Sequence, residues 1–421
     1  MGRRSPGGCG RSRGLLIAAT LLLSGAWGAT ADAAQRYVSP TGVAGICSQA
    51  QPCSIITGVN GAGVADEVIV GPGTYAVVSQ LQNANAISIH GIAGQPRPVI
   101  NSSATTAFDI GGFGSTVTDL TLEHTGSGFG LFVGGNNARI ERVQVRSSGV
   151  SPACHIGGSM TVRDSLCVST GTGSQALAGD VNGGGTATMK VRNVTAVATA
   201  PGSVGMRLGA GTNSTGSIDA RNVIAMGTSA DVQAVTSGPG ATATVGLQSS
   251  NFDTPGTVGA GASVTAPGTG GNQSVAPVFA DTTLYHQAAV SPTVDHGTLD
   301  ADAGTSDLDG DPRVLGAAPD IGADELIPGP PPDTTAPTTS IGKKPKRRTK
   351  KRRAKFTFSS DEAGSTFKCR LDRTEFETCS SPFKAKRLDK GLHRFTVRAT
   401  DAAGNTDANG ATYQWKVKKR R

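Results

Sequence analysis

The chain has 421 residues, of which 37% are hydrophobic, 4% aromatic and 59 are Gly. It is long enough for more than one domain and too apolar to be disordered throughout. Its formal net charge of +8 hides two opposed regions: 24 Lys and Arg against 8 Asp and Glu from Lys343 onward, and 11 against 22 from Ala34 to Gly342.

The first thirty-odd residues read as a secretory signal over 1–33. Arg3, Arg4, Arg11 and Arg13 precede the apolar stretch Leu15 to Trp27, and "ATADAAQ" offers a small-residue cut after Ala33. No later segment is apolar enough to span a bilayer, so the expected product is exported and has no transmembrane segment. Beyond Cys9, the cysteines fall into three close pairs: Cys47 and Cys53, Cys154 and Cys167, Cys369 and Cys379. Local disulfides in an oxidising compartment suit this spacing. Zinc is the alternative, but no CxxC pair is present.

From Ala34 to Glu325 the chain is rich in Gly, Ala, Ser, Thr and Val, without helical periodicity, and it repeats. "VTDLTL", "IERVQV", "VRDSLC", "VRNVTA" and "ARNVIA" begin at Val117, Ile140, Val162, Val191 and Ala220. Apolar or small residues hold the first, fourth and sixth places. A flat strand would set inward residues two apart, so a three-residue step marks a corner. A second ladder runs through Ile110, Val133 and Ile156, then Val181 and Leu208. The pattern predicts a solenoid whose coils bury a continuous aliphatic stack.

These features resemble the secreted right-handed parallel β-helices of the pectin-lyase-like superfold. The segment from Tyr37 to Tyr75 is similar to their N-terminal caps, in which a short helix, here with Ile55, Ile56 and Val59, covers the open end. The resemblance implies that Cys47–Cys53 staples the cap and Cys154–Cys167 bridges one coil. That fold hosts uronate lyases, glycoside hydrolases and inactive adhesins, so the site must decide. Asp119, Arg142 and Asp164 share one place of successive coils; Glu141, Arg163, Arg192 and Arg221 share another; Glu123 and Arg146 share a third. A lyase would use acidic residues to hold Ca²⁺ on a uronate and an Arg to take the proton, with Glu123, Arg142, Arg146 and Asp164 as catalytic candidates. The competing expectation is a solvated face of mutually neutralising charges, with Arg142 set against Asp119 and Asp164. His124 and His155 read as turn residues, and aromatic platforms for sugars are scarce.

Further along, "SPTVDHGTLDADAGTSDLDGDPRVLGAAPDIGADE" resembles the segment called choice-of-anchor Q in bacterial surface proteins, with Asp324 in place of the usual Tyr. Asp307, Asp309 and Asp311 alternate around a Gly turn and are candidate Ca²⁺ ligands; a capping turn with Arg313 paired internally is the other reading. No other cofactor is expected.

Residues 326–353 read as a Pro-rich and then basic linker. Residues 354–421 resemble a bacterial immunoglobulin-like β-sandwich, on the motifs "AGSTFKC", Cys379, "GLHRFTVRATDAAGNTD" and the closing "YQW", which would pair Cys369 with Cys379. Phe356, Phe358, Phe367, Phe395, Tyr413 and Trp415 alternate as strand core positions, and "KFTF" reads as the first strand. The fold class is thus all-β, a parallel β-helix followed by a small sandwich. Ten of the thirteen residues from Lys343 to Lys355 are cationic, among them Lys343, Lys344, Lys346, Arg347, Arg348, Lys350, Lys351, Arg352 and Arg353. Export excludes a specific nucleic acid as partner and leaves an anionic cell-envelope polymer or acidic polysaccharide. The expected function is non-enzymatic display or attachment outside the cell; the alternative is a polysaccharide lyase or glycoside hydrolase.

Overall fold

In the computed structural model the described residues are 33–43, 45–329 and 333–419. The secretory-signal reading falls outside them, apart from Ala33. The chain divides into two compact units, up to Leu326 and from Ile327. None of the helices among the described residues is long and apolar enough to cross a membrane.

The first unit is a parallel β-solenoid of about seven coils. One wall is an eight-stranded sheet and the rest a fourteen-stranded sheet, with parallel pairing between coils throughout. The helix Ile55–Asn60 caps one end. Ser54 accepts the Thr57 N–H at its start, and Ile55 and Val59 are buried against the first coils. Cys47–Cys53 closes the loop before it, and Cys154–Cys167 crosses the interior of one coil.

The corner is built as its pattern predicts. The inward places Val117, Leu120 and Leu122 repeat as Ile140, Val143 and Val145, then Val191, Val194 and Ala196, all at or near zero exposure. Between the first two of each set, one residue takes a left-handed backbone: Asp119, Arg142, Asp164, Asn193 and Asn222, with φ of 56°, 50°, 49°, 52° and 53°. Asp and Asn accept that conformation more readily than other non-Gly residues. In the early coils this kink separates two strands, such as Arg139–Glu141 and Gln144–Ser147; later a single strand such as Thr186–Ala198 runs through it.

The solenoid does not end with its last coil. Residues 285–326 return over the outer face of the large sheet. There Tyr285, Leu308 and Ala323 bury Leu166, Val168 and Val197 in a second small core.

The second unit is antiparallel in the main. Gly391–Thr400 lies between Thr366–Leu371 and Ala411–Val417 in a five-stranded sheet, while Arg353–Phe356 pairs with Phe383–Lys386. Phe356 and Phe383 stack on Phe395, with centroids 4.2 and 4.9 Å away, and Trp415 completes the core. Cys369–Cys379 joins two neighbouring strands. The linker expectation for 326–353 needs correction. Thr339–Ile341 pairs with Phe358–Ser360, and Arg348–Thr349 runs parallel to Lys416–Val417. The strands of this unit therefore begin at Thr339, well before "KFTF". Edge pairing consumes backbone groups and leaves side chains in water, so a cationic run can be folded without an apolar pattern.

Candidate functional site

On the solenoid, the charge ladder is resolved by pairing and by cover. Arg142 donates to both oxygens of Asp119, Nε at 2.7 Å and Nη2 at 2.9 Å, and a third donor meets Glu141. Its pKa is driven up, chiefly by the hydrogen bond to Asp119. Glu123 and Arg146 face each other at 3.8 Å; burial raises the Glu123 pKa and Arg146 partly offsets it. Asp164 is not Arg142's partner. It is fully buried and receives Arg313 at 2.9 Å and Asn193 at 2.8 Å. Burial pushes its pKa up against the pull of Arg313. A carboxylate with no solvent exposure cannot meet a substrate, which removes Asp164 from the catalytic candidates.

The expectation of a solvated face is therefore corrected for the later coils. Asp300 binds Arg192 at 2.8 Å and approaches Arg221 at 3.6 Å; Asp302 binds Lys190 at 2.6 Å. Thr298 caps the Asn ladder, accepting from Asn222 and donating back to it. Neighbouring coils supply part of the neutralising charge, Glu141 to Arg163 and Asp219 to Arg192, and the covering segment adds Asp300, more than seventy residues away in sequence. One signal was available: one outward row turns from Glu123 and Arg146 to Val168, Val197 and Met226, and its neighbour from Thr121 and Gln144 to Leu166, Thr195 and Ile224. Outward apolar rows on a solenoid call for a cover.

Asp307, Asp309 and Asp311 do not converge on an ion. Asp307 Oδ1 accepts the N–H groups of Asp309, Gly310 and Asp311, and Oδ2 accepts that of Glu325. Its carboxylate closes the turn. Asp309 turns away to His286, 2.9 Å off, and His286 also meets Asp281 at 2.8 Å. Burial opposes charge on His286, but the hydrogen bond to Asp309 and nearby carboxylates outweigh it and raise its pKa. His286, Asp309 and Asp324 are the group whose ligand atoms do converge here, and the sequence reading passed over His286. Where a Tyr was expected, Asp324 accepts the Gln287 N–H at 2.7 Å.

His124 and His155 lie in strands rather than turns. His124 is buried between Ser147 and the Ala104 carbonyl. His155 stacks on Phe132 and binds Asp180, which also holds Arg207. Phe129 joins them, so three rings cluster on the outer face of the smaller sheet, a grouping that sparse aromatics had hidden. A cleft of about 460 Å³ opens beside the Asp119–Arg142 pair, with Arg97, Asp309 and Gly94 in its walls.

The second unit concentrates the free cations. One groove of about 460 Å³ is lined by Lys344, Lys351, Arg353, Lys355, Lys384 and Lys386. Another, of about 650 Å³, is lined by Lys350, Lys351, Arg352, Arg353, Lys390 and Lys418. No acidic side chain lines either one. Among the described residues, the basic run has one ion pair, Arg352 with the exposed Asp389 at 3.0 Å. Lys343, Lys346, Arg347 and Arg348 belong to the same run, and Arg348 stands opposite Lys416 across two paired strands.

Comparison with protein-family models, with curated proteins and with solved structures finds no match to this chain.

Proposed function

We propose that this is an exported, non-enzymatic surface or extracellular protein, a right-handed β-helix of pectin-lyase-like type held to an anionic envelope polymer or acidic polysaccharide by its cationic second unit. On this reading residues 285–326 are a choice-of-anchor Q-like cover and the second unit is an immunoglobulin-like module. The observation that carries it is the cationic surface between Lys343 and Lys418, in whose basic run, among the described residues, only Arg352 is ion-paired. Elsewhere in the molecule Arg side chains meet acids within 4 Å, as Arg142, Arg163, Arg192 and Arg313 do. Three disulfides support a location outside the cell.

The test is retention of the full chain on immobilised polygalacturonate or on isolated cell envelopes. Retention should be strong at about 0.05 M salt and collapse by about 1 M, where the Debye length is about 3 Å. Retention that salt does not release, or none at low salt, overturns the reading. Deleting Lys343–Lys355 is a poor test, because the deletion removes strands; substitutions are needed. A lyase remains the second reading because of the cleft at Asp119 and Arg142. Unsaturated sugar ends released from a panel of uronate polysaccharides with Ca²⁺ would establish it.

A further inference from the structure

The strand pair Arg353–Phe356 and Phe383–Lys386 carries an arrangement that folding alone disfavours. Its register sets Arg353 opposite Lys386 and Lys355 opposite Lys384. Ala354 and Ala385, between them, are buried against the core, so all four cations share the outer face. Like charges directly opposed across strands destabilise a sheet. Nothing acidic in the two grooves relieves them.

The grooves share Lys351 and Arg353, so they adjoin. A single small anion would leave most of this charge unmatched. Cations two residues apart on one strand stand about 7 Å apart, and opposed residues about 5 Å apart. A linear polymer with an anion on successive units meets one rung after another of such a ladder. Five of the six cations in the first groove are Lys. An ammonium is a point charge on a flexible stem and accepts an anion from many directions, whereas Arg's planar fork selects one geometry. The aromatic face at this edge, that of Tyr413, is overlain by Lys344 at 5.1 Å. Bases of a single-stranded nucleic acid would find no platform to stack on.

We propose that the two grooves form one track for a linear acidic polysaccharide, gripped by the opposed pairs Arg353/Lys386 and Lys355/Lys384. This rests on the attachment reading and adds to it the ligand class and the residues that grip it. Bound polymer supplies the missing counter-charge, so the site is stabilised by its ligand and strained without it.

The test uses the full chain and two readouts: affinity for galacturonate chains of defined length, and the melting of the second unit followed by the fluorescence of the buried Trp415. Affinity should rise steeply from monomer to decamer. Decamer should raise the melting temperature of the second unit, and monomer at equal total charge should not. In Lys355→Thr/Lys384→Thr, decamer affinity at about 0.1 M salt should fall about tenfold or more, and its salt dependence should become shallower, because fewer cations displace counterions from the polymer. The unliganded melting temperature should stay level or rise, because a repulsion has been removed. If this variant fails to fold, Arg353→Thr/Lys386→Thr carries the same expectation. Lys368→Thr/Arg373→Thr, which removes two charges outside the grooves, should bind within about twofold of wild type.

The outcomes separate. If neither decamer nor envelope binds the wild type, the attachment reading itself fails. If decamer binds but the groove variants bind as well as wild type, or the control pair weakens binding equally, attachment stands and the track is wrong. If single-stranded DNA or polyphosphate of equal charge binds tighter than both polyuronate and a sulfated polysaccharide, the polysaccharide assignment is overturned.

Discussion

Arg142 and Asp164 occupy equivalent places one coil apart, yet they answer to different physics. Arg142 is about one-quarter exposed and holds a left-handed backbone that Arg rarely adopts, compensated by its two bonds to Asp119. Arg142→Asn trades that partly exposed pair, worth about 0–1 kcal/mol, for a residue suited to the backbone. Its expected net cost by chemical denaturation is within about 1 kcal/mol. Asp164→Asn keeps the shape and the left-handed preference but strips the charge opposite the buried Arg313. Breaking a buried pair by removing one partner costs about 3–5 kcal/mol, and we expect the lower end of that range. The loss should shrink in the double variant Asp164→Asn/Arg313→Gln, where the guanidinium is no longer left without Asp164, although Glu325, 3.8 Å from Arg313, then loses a counter-charge. Equal costs for the two single substitutions would show that the covering segment contributes nothing at this place.

At the scale of elements, the covering segment behaves as an acid-stabilised clasp. Burial pushes Glu325 up to about 7 and Asp324 up to about 6, from ordinary values of 4.5 and 3.8. The folded segment therefore binds protons more tightly than the unfolded one. The stability these groups contribute is complete below their ordinary values and is lost as pH rises through about 6–7. His286, also raised, acts in the same direction. Asp300, lowered despite burial by Arg192, acts oppositely, and its contribution is lost as pH falls below its ordinary 3.8. Amide exchange within 305–325, corrected for intrinsic rate, should be slowest near pH 4 and accelerate toward pH 8. Glu325→Gln should flatten that rise. This segment was only half legible in sequence. Its turn chemistry could be read from "DLDGDPR", but its docking surface is made of single outward residues, Leu166, Val168 and Val197, from two separate coils. Each passes for an ordinary strand residue until the coils are stacked.

The whole molecule is an electrical dipole in composition, with a net charge of +16 from Lys343 onward and −11 from Ala34 to Gly342. At about 0.01 M salt the Debye length is about 30 Å, against about 8 Å at 0.15 M. The cationic unit of one molecule should therefore attract the solenoid of another at low salt. Sedimentation velocity is expected to show association at about 0.01 M that disperses by about 0.15 M, and Lys355→Thr/Lys384→Thr should weaken it. Monomers at both ionic strengths would mean that the −11 is too dispersed, or too fully paired, to attract. Pairing is extensive in the later coils, where Asp300 and Asp302 are already engaged.

By itself the sequence determined the solenoid, its corner and its three local cysteine pairs, because each rests on short-range rules. Side-chain parity sets which residue faces inward, a left-handed corner favours Asp or Asn and holds one in four of five coils, and six to thirteen residues separate the cysteines of each pair. The aromatic core of the second unit was legible for the same reason. Only the tertiary structure decided which charges are free. Arg192 and Asp164 look as available in sequence as Lys355 and Lys384, but Asp300 and Arg313 reach them from over a hundred residues away. Charge pairing is set by proximity in space, and the register of strands Arg353–Phe356 and Phe383–Lys386, which sets like against like, is fixed by the burial of Phe356 and Phe383 beside Phe395 rather than by any preference of the cations themselves.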